Sequence, residues 1–103
     1  MTDELVLAGR EGSVTVTSHA LTRIVVEAAE SVAGARVRRL RRGLEVRVAG
    51  GRATVSLPLA ARYGETLPEL AREVQERVAV AVTRMCGVTV GSVDVLVEEL
   101  ERP

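Results

Sequence analysis

The sequence predicts an α+β fold, a two-layer sandwich in which two amphipathic helices lie on one face of a small mixed β-sheet. Three observations predict it. Two segments repeat apolar residues at helical spacing, several short segments alternate apolar with polar side chains, and the two kinds follow one another in the order β-α-β-β-(β)-α-β. Each helix then has one apolar stripe and most strands have one apolar face. Stacking the two layers buries both. The chain has 103 residues, which is room for one domain and one core. That core is aliphatic: there is no Phe or Trp, and Tyr63 is the only aromatic residue.

Residues 1–12 are polar and contain Gly9 and Gly12, so they read as a loosely ordered lead-in to a domain spanning 13–100. Val14-Thr15-Val16 is a short β-branched strand. A helix is expected from about Ser18 to Ala33, with Thr17 or Ser18 as its N-cap and Gly34 as its C-terminal cap. Its stripe is Leu21, Ile24, Val25, Ala28, Ala29 and Val32. Leu44, Val46 and Val48 alternate with Glu45, Arg47 and Ala49, and Gly50-Gly51 supplies a two-residue hairpin turn. The returning strand carries Ala53, Val55, Leu57 and Leu59 on one face, and Thr54, Ser56 and Pro58 on the other. Pro58 donates no backbone hydrogen bond, which places this strand at an edge or leaving the ladder.

The second helix begins at a Thr66/Glu69 capping box and ends at Gly87. Its stripe is Leu67, Leu70, Ala71, Val74, Val78, Ala81, Val82 and Met85. Val93, Val95 and Val97 then alternate with Asp94, Leu96 and Glu98 in a last strand, and 101–103 close the chain as a charged tail. The sheet face turned from the helices, with Thr54, Ser56, Glu45 and Arg47, is polar enough for water or for another subunit.

Fourteen basic residues, all Arg, balance fourteen acidic ones, so no net field draws in nucleic acid or anionic lipid. Cys86 is alone, which suits a reducing compartment. The acidic N-terminus has no apolar run of a secretory signal, and no segment reaches the length of a membrane helix. The expected location is therefore cytoplasmic. His19, the one histidine, has no orienting carboxylate nearby in sequence and reads as an exposed first-turn residue. Cys86 at a helix C-terminus sits at the wrong end of the dipole for a reactive thiolate and reads as a packed thiol. One His and one Cys without paired spacing do not make a metal site. No cofactor, small-molecule substrate or catalytic residue is expected.

The charged segments are the candidate interaction surface. Arg36, Arg38, Arg39, Arg41 and Arg42 crowd five guanidinium groups into seven residues. They are open to three readings: a site for phosphate, lipid headgroups or an acidic partner; a solvated edge strand guarded by charge; or a partner for the acidic Glu98, Glu99 and Glu101, within the chain or in a neighbour. A small RNA- or anion-binding module is the alternative function, although RNA readers usually add aromatic platforms that this chain lacks. Tyr63 either anchors an interface or caps the end of the core.

From Leu44 to Leu100 the chain resembles the alkaline shock protein family of envelope stress proteins. The resemblance is carried by the hairpin, Ala61-Arg62-Tyr63-Gly64, Leu67-Pro68-Glu69-Leu70-Ala71-Arg72-Glu73-Val74-Gln75, Met85-Cys86-Gly87 and Val93-Asp94-Val95-Leu96-Val97. Gly12-Ser13-Val14 and Val32-Ala33-Gly34 fit more loosely. Met85-Cys86-Gly87 stands where the family commonly has Met-Thr-Gly, and the Arg-rich segment is a departure. The resemblance implies a non-enzymatic, self-associating protein of the envelope or cell-wall stress response. It would gather at the inner face of the membrane through a membrane-anchored partner.

Overall fold

The computed structural model describes residues 2–38 and 43–102. Its elements are β1 (Leu5–Gly9), β2 (Gly12–Val16), α1 (Ser18–Glu30), β3 (Ala35–Val37), β4 (Glu45–Ala49), β5 (Arg52–Arg62), α2 (Leu67–Cys86) and β6 (Thr89–Glu101). β5 organises the sheet. Along one edge it pairs antiparallel with β4 through residues 52–56 and with β3 through residues 59–61. Along its other edge it pairs in parallel with β6, to which α2 makes the crossover that parallel strands require. Both helices cover one face, α1 over β3 and β4, α2 over β6. The expected α+β two-layer sandwich is the observed fold.

Between the layers lie Ala53, Val55, Leu57, Leu59 and Ala61 of β5, each at most 1% exposed. They meet Leu21, Val25, Val26 and Ala29 of α1 and Leu70, Val74, Val78, Val82 and Cys86 of α2. Small and branched side chains fill this space without an aromatic ring, as the composition requires. Gly50 and Gly51, at φ +58° and +73°, make the two-residue turn between β4 and β5.

Several expectations are corrected. Pro58 lies in the central strand, not at an edge. β4 stops opposite Ser56 and β3 begins opposite Leu59, so the missing donor falls at the junction of two short partners. The Pro58 carbonyl still accepts from the Arg38 N–H at 2.9 Å. The expected lead-in contains β1, paired with β2 from Leu5↔Val16 to Gly9↔Gly12, and Leu5 is buried. At the other end β6 continues through Glu101, the first residue of the expected tail. Helix α1 stops at Glu30 rather than Ala33, with Ser31 as its C-cap. Thr66 is the N-cap of α2, but its hydroxyl makes no capping bond. Finally, Met85 is 65% exposed and Cys86 takes its expected place in the core. A line of every fourth residue advances about 40° beyond a full turn at each step, so the buried stripe winds round α2 and reaches Cys86.

Candidate interaction surface

On the sheet face turned from the helices, opposed residues share a row. Register places Arg36, Ala60 and Glu99 in one row and Arg38, Pro58 and Leu96 in the next. β3 and β6 lie two strand spacings apart, about 10 Å, a gap that an arginine can cross. Ala60 in the middle is small enough to be crossed and is 1% exposed beneath its neighbours. Arg36 reaches Glu101, with both Nε and Nη2 donating to the carboxylate. Arg38 reaches Glu99 through Nη1 and lies 4.0 Å from Glu98 through Nε. The register steps past Glu98 between Leu59 and Ala60, and this bulge brings two consecutive acids to one guanidinium.

Electrostatics follow the geometry. The hydrogen bond from Arg36 is the main cause that holds the Glu101 carboxyl below its usual range, and the same bond raises Arg36. Arg38 is the better shielded cation, with its side chain 16% exposed. At the end of this surface Tyr63 donates its N–H to the Glu101 carbonyl at 2.7 Å. Tyr63 is 56% exposed, with its ring under the Arg102 guanidinium at 5.0 Å. That is contact geometry for a cation over an aromatic face. The ring does not cap the core.

The structure therefore brings Arg36, Arg38, Glu98 and Glu99 together, and adds Glu101, with Tyr63 alongside. Arg39, Arg41 and Arg42 lie outside the described residues. His19 is exposed on α1, and Cys86 is buried at the end of α2, where desolvation pushes its thiol up. Two edge devices escape sequence reasoning. Asp3 donates its N–H to the Val46 carbonyl at 2.8 Å and accepts from the Val48 N–H at 2.9 Å, closing part of the free edge of β4. Gln75 donates to the Val93 carbonyl at 3.0 Å, which ties α2 to β6. Gln75 appears in the sequence only as one letter of a family resemblance; Asp3 carries no signal.

Comparison with known proteins turns this geometry into a family assignment. Residues 35–102, from β3 to the end of β6, match the alkaline shock protein 23 family, described as having a cell envelope-related function. The chain belongs to that family. The match takes in the whole charged surface and both of the strands that form it. No curated protein matches the chain. Among solved structures it is similar to MamM CTD in several forms. A histidine-to-alanine variant is 27% identical, with TM-score 0.52 over 82% of this chain and 96% of that one. The copper form of an aspartate-to-histidine variant has the same identity, TM-score and coverages. The nickel form of a glutamate-to-histidine variant is 26% identical, with TM-score 0.52 over 82% of this chain and 98% of that one. Among the described residues no three His, Cys, Asp or Glu side chains gather as a metal site needs. No helix among the described residues is long and apolar enough to cross a membrane.

Proposed function

We propose that this member of the alkaline shock protein 23 family serves the cell envelope without chemistry of its own, by associating with copies of itself and with a membrane-anchored protein at the inner face of the membrane. Family membership over residues 35–102 is the observation that carries the proposal. The side chains best suited to chemistry support it: His19, Tyr63 and Cys86 sit on three separate parts of the fold, and the thiol is buried with its pKa raised. The RNA- or anion-binding alternative is weakened because Arg36 and Arg38 would first have to leave their carboxylates.

Sedimentation with membranes tests the proposal. The purified chain should pellet with native membranes, and should stay in the supernatant with protease-stripped membranes and with anionic phospholipid vesicles at physiological salt. Pelleting with bare vesicles would show that lipid, not protein, is what it binds, and the proposal would be abandoned.

A further inference from the structure

The outer face of α2 carries a pattern that neither the core nor the charged sheet face uses. Its buried line is Leu70, Val74, Val78, Val82 and Cys86. Two residues beyond a buried position is about 200° round the helix, so Glu76, Val80 and Arg84 form a second line that winds with the buried one along the exposed side of α2. Val80 is 53% exposed. The three residues line one side of an open groove toward α1, together with Ala81 and Met85. Glu73 and Arg77, on the flank of α2, satisfy each other at 3.3 Å. Glu76 and Arg84 do not: among the described residues neither has an ion-pair partner. They stand two turns apart, about 12 Å along the axis, where side chains of one helix are not neighbours. The stripe is thus acidic at one end, apolar in the middle and basic at the other.

Such a stripe is complementary to itself when reversed. We infer that α2 docks antiparallel against α2 of a second copy of this chain, with a two-fold axis passing at Val80. The operation sets Val80 against its own equivalent. It carries the position four residues before Val80 onto the position four residues after it. Glu76 of each copy therefore meets Arg84 of the other, and one contact forms two ion pairs flanking an apolar centre. Parts of the sheet surface are already engaged. Asp3 and Gln75 already occupy backbone groups of β4 and β6, and the described arginines of the β3–β6 face are held by acids of the same chain. A contact this small belongs to the weak, reversible class of interfaces, and its charged part should weaken with salt.

This contact specifies the surface for the self-association proposed above and rests on it, so the test must separate the two. Sedimentation equilibrium of the full chain over a range of concentrations does so. Glu76→Arg alone or Arg84→Glu alone places like charges together twice, and each should weaken dimerisation at least about tenfold. The double reversal restores both pairs and should return the dissociation constant to within about threefold of the unaltered chain. Val80→Asp should abolish the contact in either background. All three positions are exposed, so melting curves recorded at concentrations where the unaltered chain is monomeric should stay unchanged and exclude misfolding as the cause. If the unaltered chain is monomeric throughout, self-association itself is wrong and this contact falls with it. If it associates but the single reversals change nothing, or the double reversal fails to rescue, only the α2 contact is overturned.

Discussion

Glu101 owes its acidity chiefly to Arg36, with Arg38 adding to it. The hydrogen bond from Arg36 keeps its carboxyl below the usual range in the folded chain, and unfolding removes that neighbour. The folded state therefore releases this proton more readily than the unfolded state. The resulting stabilisation is fully present above the ordinary carboxylate range and is lost as pH falls through the folded value. Glu101→Gln should lower the melting temperature slightly at neutral pH, and the gap to the unaltered chain should close in acid. A gap that is the same at every pH would mean that the side chain matters for packing and not for charge. The charges of this pair are plain in the sequence, as are those of Arg38, Glu98 and Glu99. Their meeting is not, because residues 36 and 101 become neighbours only when β3 and β6 take opposite edges of β5. Which arginine crosses to which acid depends further on the bulge at Glu98, and no local pattern announces it.

Helix ends show the same division between spacing and geometry. Thr17 and Thr66 are both N-caps, and the sequence marks Thr66 more strongly because Glu69 completes the box. In the fold the order reverses. The Thr17 hydroxyl accepts from the Ala20 N–H at 3.2 Å, and the Thr66 hydroxyl caps nothing. Pro68 also removes one of the amides that α2 would otherwise leave free. Thr17→Ala should therefore cost about 1 kcal/mol in chemical denaturation, and Thr66→Ala less than about half of that. Equal losses would show that the Thr66 cap forms in solution. Periodicity located α2, β4, β5 and β6 well, since each has one buried face and period is what burial selects. It failed for β1, whose two-residue turn, Arg10-Glu11, has no Gly, Asn or Asp at its centre to signal a hairpin. Pro58, not periodicity, misplaced β5 within the sheet, because proline usually marks an edge and nothing local reveals that two short strands share one side of it.

The molecule extends 51 Å along its longest axis and only 23 and 18 Å along the others. Its radius of gyration, 14.1 Å, exceeds the roughly 13 Å of a compact domain of this length. The β1–β2 hairpin is a two-stranded sheet of its own, apart from the four-stranded one. Leu5 at its base is buried, while Val6 and Val14 further out are 59% and 60% exposed. An isolated two-stranded ribbon is marginal in water, so its stability must come from the base, where Leu5 packs in the core and Asp3 holds β4. β5, by contrast, is bonded on both edges and covered by two helices. Amide exchange on the native protein should separate these two levels. Protons near the hairpin tip should exchange by local opening with weak dependence on denaturant, and those of β5 only through global unfolding. Leu5→Ala should lower the global unfolding free energy together with hairpin protection, whereas Val6→Ala should affect the hairpin alone. If tip amides are protected as strongly as those of β5, something covers the exposed valines in solution, and the arm is itself a contact surface.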